Sequence, residues 1–199
     1  MMKKTQSETK KQKFANPISC GCLLVLVLMG LSLCLKEPFG WHTLRYALLG
    51  VLLLVISIID YRSFIIPDEL LIVALVLYVP LSLLAGDSFL QIGCHLTLQG
   101  VLASLPLLLF VLAADYITGM ETMGFGDIKL FYVLGVYMGA QYAWLTLFVA
   151  CIVALLWNVL LLRGKKNQPF PFGPSISAAA WLVIIWGRPV LEWYIQLWM

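Results

Sequence analysis

After a short basic beginning, the chain is an almost unbroken succession of apolar runs joined by brief polar connections. The runs cover residues 18–35, 44–59, 70–85, 89–114, 128–139, 143–162 and 175–187, the last leading on toward Met199. A soluble domain is roughly 45–50% apolar and about 25% charged. At 62% hydrophobic and 12% charged, these 199 residues hold far more apolar surface than one globular core can hide. About seven spans of roughly 20 residues account for the length and leave no room for a sizeable soluble domain. The expected fold is therefore all-α, a polytopic transmembrane helix bundle. It consists of a basic cytoplasmic tail over residues 1–17 and a single membrane-embedded domain over residues 18–199.

Lys3, Lys4, Lys10, Lys11 and Lys13 precede the first apolar run in the order of a signal peptide, and "LSLC" at 31–34 resembles a lipoprotein box. Leu33 is too large for the small-residue site of such a box, and further spans follow at once. An uncleaved first helix is expected. With the N-terminus inside, ten basic residues (those five with Arg62, Lys129, Arg163, Lys165 and Lys166) fall inside, and three (Lys36, Arg45, Arg188) fall outside. That is a strong positive-inside bias. The fifth run is short for a span and needs local thinning of the bilayer or burial among its neighbours. Omitting it would export Arg163, Lys165 and Lys166, so the charge bias supports counting it. Trp41, Trp186, Trp193, Tyr194 and Trp198 fall near the proposed outer ends, as an interfacial aromatic belt does.

The net charge of +3 is then a matter of topology and implies no nucleic-acid partner. Cys20, Cys22, Cys34, Cys94 and Cys151 form no paired zinc knuckle and read as small, membrane-compatible side chains. His42 and His95 read as ordinary interfacial histidines, and "GVYMG" at 135–139 as a site of close packing within the bundle. No metal and no cofactor is expected.

The carboxylates are the informative exceptions. Asp60 ends the second run, and Asp127 opens the fifth within "METMGFGDIKL", so the topology brings both to one boundary of the membrane. A carboxylate at the centre of a span costs about 2.5–3.5 kcal/mol on insertion scales and less toward the interface. Asp68 and Glu69 follow Pro67 and read as a helix start, with acids at the positive end of the dipole. Asp60 has no such account, since a negative charge at a helix C-terminus meets the unfavourable end. It is either a functional group or a loop-edge carboxylate. Gly124 and Gly126 suit a tight helix entry with Asp127 near its start, and leave room for extended backbone to lie alongside.

Together "IIDYRSFIIPDEL", "GMETMGFGDIKL" and "PFPFGPSISAAAWL" resemble the prepilin peptidase family over roughly residues 44–187. These are membrane aspartic proteases of the Gly-x-Gly-Asp class, which also includes presenilins and signal peptide peptidases. The resemblance implies that Asp60, ahead of Ile66-Pro67-Asp68, and Asp127 are the catalytic pair. It implies supporting roles for Gly124, Gly126, Lys129, Pro67, Asp68, Glu121 and the turn Pro171-Phe172-Gly173-Pro174. Many bacterial members carry a large cytoplasmic insertion with two Cys-x-x-Cys pairs, tied to zinc and methylation. Only about eight residues, 36–43, separate the first two runs here. The resemblance is thus to the short, peptidase-only members, in which zinc is not expected and methyltransferase activity is doubtful.

The implied activity is cleavage of a short basic leader from type IV prepilin or pseudopilin precursors at the cytoplasmic face of the bacterial inner membrane. Such precursors serve pili and protein secretion. The family cuts after a glycine, whose missing side chain lets the backbone approach the acids. Lys129 reads either as a guide for an acidic substrate side chain or as a lysine closing a loop. Asp115 and Glu121 read as receivers of the basic leader or as solvated loop residues. The alternative class is a small proton-coupled membrane transporter, whose relay acids would sit nearer mid-membrane than these.

Overall fold

A computed structural model describes residues 40–119, 123–161 and 172–197. The tail 1–17, the run 18–35, Glu121 and Pro171 lie outside the described residues. Among the described residues the chain is all-helical. Its helices are α1 (Trp41–Ser63), α2 (Asp68–Leu84), α3 (Phe89–Thr118), α4 (Phe125–Met138), α5 (Ala140–Leu161) and α6 (Gly173–Gln196). Each of the six described apolar runs has become one helix. The last continues through Pro189 to Gln196.

The boundaries follow from local chemistry. Ser88 and Gln91 open α3 with a reciprocal capping box, which satisfies two of the amide groups a helix start leaves free. Gly119 closes α3 in the left-handed conformation, φ 67°, with its N–H bonded to the Asp115 carbonyl. Gly139, at φ 87°, is the one-residue link between α4 and α5. Pro67 stands at the N-cap of α2 rather than within its first turn, and Asp68 and Glu69 follow in that turn as the dipole favours.

Three helices, α1, α3 and α6, are long and apolar enough to cross a membrane. Val76, Leu109, Phe110, Phe148 and Leu155 are among many large apolar side chains that face outward. An apolar surface this extensive suits lipid and not water. α4 is the exception in length. Its 14 residues rise only about 21 Å against a hydrocarbon core of about 30 Å. Burial among neighbours is what accommodates it: Ile128, Leu130, Phe131 and every residue from Val133 to Met138 are buried, with α2, α3, α5 and α6 packed around them.

Close packing of α3 on α4 rests on Gly135. A Cβ there would lie 2.5 Å from the Ala103 Cβ and 2.7 Å from the Gln99 carbonyl oxygen. The Gly-x-x-x-Gly stretch thus packs within the chain, as its sequence suggested. Gly135→Ala gains about 1 kcal/mol of helix propensity, but overpacking against backbone costs about 1–3 kcal/mol. The second effect wins because Gln99 sits in a π-helical turn, His95–Gln99, and cannot retreat as a side-chain tip could. The expected result is a lower midpoint of thermal unfolding in detergent micelles.

The helices alternate, so the bundle has two distinct ends. At one end Arg45 is buried near the start of α1 and donates to Ser82 (2.9 Å), in the last turn of α2, and to Asp87 (2.8 Å), in the connection from α2 to α3. Tyr46 and Tyr78 lie beside its guanidinium. At that same end the His95 Nδ1 lies 3.1 Å from the Val136 carbonyl oxygen. The opposite end gathers the close of α1 and the starts of α2, α4 and α6.

Candidate active site

Asp60 lies in the last turn of α1, because α1 runs three residues beyond it to Ser63 before Phe64 closes the helix in the left-handed conformation, φ 55°. The side chain is buried. The Gly173 amide donates to Asp60 Oδ2 at 2.9 Å. Gly173 is the first residue of α6, so the carboxylate that meets the unfavourable end of its own helix dipole faces the favourable end of another. This contact answers the puzzle that the sequence left at Asp60. It also explains the glycine, since a Cβ at Gly173 would lie 2.6 Å from Asp60 Oδ2.

Asp127 occupies the first turn of α4, after Gly124 as N-cap. The "GFGD" stretch is thus the tight helix entry expected of it. The two glycines differ in what they permit. A Cβ on Gly126 would lie 3.0 Å from the Ile66 Cβ, so its absence lets the α1–α2 connection seat against α4. A Cβ on Gly124 would meet nothing nearer than 3.7 Å, so at this exposed residue the free space is on the cleft side.

Asp60 and Asp127 line one open cleft of about 600 Å³, and Asp127 is within Coulombic reach of Asp60. The walls come from the α1–α2 connection (Phe64 to Pro67), the start of α2 (Asp68, Glu69) and the start of α4 (Gly124 to Lys129). Lys129 bridges both helices: its Nζ donates to Asp68 Oδ1 at 2.8 Å and Oδ2 at 2.7 Å. Neither reading of Lys129 from sequence included this partner. Both side chains are more than half exposed (54% and 57%), so solvent screens the pair. Lys129→Ala should therefore shift folding stability by less than about 1 kcal/mol, measurable as a small change in thermal midpoint.

Of the residues singled out from sequence, Asp60, Pro67, Asp68, Gly124, Gly126, Asp127 and Lys129 come together in this cleft. Gly173 joins them through its amide, with Phe172 as N-cap and Pro174 in the first turn of α6. Asp115 lies in the last turn of α3 and is not part of the cleft wall. Ile66, which the sequence marks only as part of the Ile-Pro-Asp element, is buried with its Cβ against Gly126, a contact that no local pattern announces. Among the described residues, no cluster of three His, Cys, Asp or Glu side chains could hold a metal ion.

A helical bundle with membrane-type helices and a pair of carboxylates sharing a cleft at one end defines a class, the polytopic membrane proteins that carry their acids at the rim of the bundle. Within that class the chain belongs to the type IV leader peptidase family, whose sequence pattern matches residues 47–159 and so includes both aspartates. It is similar to the prepilin leader peptidase/N-methyltransferase of Aeromonas hydrophila, 30% identical over 175 residues, covering 86% of this chain and 59% of that protein. The protein of the same name from Pseudomonas aeruginosa is 31% identical over 173 residues, covering 79% of this chain and 54% of its own length. The one from Xanthomonas campestris pv. campestris is 28% identical over 195 residues, with 94% and 66% covered. The chain thus spans about 60% of the length of the curated relatives it matches. No solved structure matches it significantly.

Proposed function

We propose that this protein is a membrane-embedded aspartic endopeptidase that removes a short basic leader from type IV prepilin-like precursors. One observation carries the reading: Asp60 and Asp127, from helices far apart in sequence, line a single cleft at one end of an apolar bundle. Family membership and the names of the relatives support the same substrate class.

Two nearby carboxylates do not both ionise readily, because like charges repel in a partly desolvated site. They share a proton. The ionised member draws a proton from a water molecule as that water attacks the scissile carbonyl. The protonated member donates a hydrogen bond to the carbonyl oxygen and then passes its proton on, so that the amine leaves neutral. The pair is the catalytic unit, and its apparent pKa values belong to both members. Gly173 holds the Asp60 carboxylate in place through its amide. Gly124 leaves the cleft open where the substrate backbone has to approach Asp127.

In this reading the chain crosses the inner membrane seven times from a cytoplasmic N-terminus, and the cleft faces the cytoplasm. The ten-to-three division of basic residues supports that orientation. A basic leader stays in the cytoplasm while the apolar stem lies in the bilayer, which sets the scissile bond at the depth of the cleft. The test uses the purified protein in vesicles of bacterial phospholipid. It is incubated with a synthetic precursor made of a lysine-rich leader, a glycine and a stem of roughly 20 apolar residues. N-terminal mapping should find one new end immediately after the glycine. An intact precursor would overturn the reading.

A further inference from the structure

We infer that the groove between the first two turns of α2 and the second and third turns of α4 is the docking surface for the apolar stem of the substrate, beginning where the aspartate cleft ends. This rests on the proposed peptidase activity and names the surface that activity uses. The groove holds about 280 Å³ and is lined by Leu71, Ile72 and Leu75 of α2 with Tyr132 and Val133 of α4. On α2 these residues fall at spacings of three and four, one helix face, as do Lys129, Tyr132 and Val133 on α4. Ile72 is 60% exposed although it is wholly apolar.

Continuity with the cleft identifies the occupant. Asp68 and Lys129 line both spaces, so their ion pair stands on the boundary between them. On one side of that boundary the cleft carries four carboxyl groups, Asp60, Asp68, Glu69 and Asp127, against the single ammonium of Lys129, so it stays net acidic even with one proton shared between Asp60 and Asp127. On the other side the wall is apolar. A polypeptide lying across the boundary therefore needs a basic segment in the cleft and an apolar segment in the groove, with its chain passing the dyad between the two. Both α2 and α4 begin at the cleft and lead away from it, so a helical stem laid in the groove runs in their direction. From Asp68 to Leu75 the groove follows α2 for about 10 Å, two turns of a docked helix. It therefore reads the stem residues nearest the cut.

The test combines a filled groove with a direct contact. Ile72→Trp blocks the groove at an exposed residue, and Val73→Trp puts the same bulk on an exposed neighbour that does not line it. For the synthetic precursor described above, Ile72→Trp should raise KM about tenfold with kcat retained, and Val73→Trp should change neither. Replacing the first two turns of the stem by serine should raise KM in the wild type, with little further loss in Ile72→Trp, because the two changes remove one contact. A photoreactive benzoylphenylalanine at residue 72 should form an adduct with those stem residues. An unchanged KM in Ile72→Trp, or an adduct only with phospholipid or with residues 18–35 of this chain, would overturn the inference while leaving the peptidase reading intact. A wild-type protein that cuts no precursor would sink both.

Discussion

Asparagine in place of Asp60 or of Asp127 leaves precursor uncut while the protein still inserts and folds. The expected loss in kcat/KM is on the order of 10³-fold or more for either change. The size follows from the shared proton: a carboxamide can neither take the proton from water nor deliver it to the departing amine, so either substitution disables both steps. The double variant should accordingly be no worse than the single ones, since groups that act as a unit do not contribute additively. Folding should survive because asparagine is nearly isosteric, and at residue 60 its side-chain carbonyl can still accept the Gly173 amide. Processing by both variants at the wild-type rate, with thermal midpoints unchanged, would reject the two residues as the catalytic pair.

Gly173→Ala is the second change with a large effect, and it separates function from stability. Its Cβ would lie 2.6 Å from Asp60 Oδ2, 3.0 Å from Cγ and 3.1 Å from Cβ. The carboxylate is the part free to move, so the clash is relieved by turning Asp60 away from the amide that holds it. Activity should fall about 100-fold, the scale on which a misplacement of about 1 Å acts on a catalytic group. Stability should fall by only about 1–3 kcal/mol, the ordinary range for overpacking. The split is measured by kcat/KM against thermal midpoint in the same micelles. A loss of stability large enough to account for the whole loss of activity would show that Gly173 serves packing alone.

Much of the architecture could be read from sequence because apolar run length is a strong signal. All six described runs became helices with nearby boundaries. The brevity of the run at 128–139 was visible as well, but its resolution was not. Only the packed bundle reveals that α4 is the buried centre of the described helices. The residues that share the candidate cleft were legible as a list and less so as a set of contacts. Asp60 and Asp127 stood out because each was a charge where charge is expensive. What Gly173 does for Asp60 depends on where α6 starts, 113 residues further along, and no local pattern carries that. Asp68 and Lys129 each had a sufficient local explanation, which concealed that they pair. Arg45 carried a usable signal, a lone guanidinium at the edge of an apolar helix. In sequence it bears only on the loop charge bias, whereas burial against Ser82, Asp87 and two tyrosines makes it a tie across the far end of the bundle.

The central claim is that residues 60 and 127 meet in one working cleft of the folded protein in its membrane. Cross-linking tests this most directly. Asp60→Cys and Asp127→Cys are combined in a background where the five native cysteines are replaced by serine, and vesicles are treated with a short bifunctional thiol reagent. Asp68→Cys with Lys129→Cys, the residues of the ion pair across the same cleft, serves as the reference. The account predicts that the 60–127 bridge forms as readily as the reference bridge. A reference bridge that forms while residues 60 and 127 stay unlinked would contradict it.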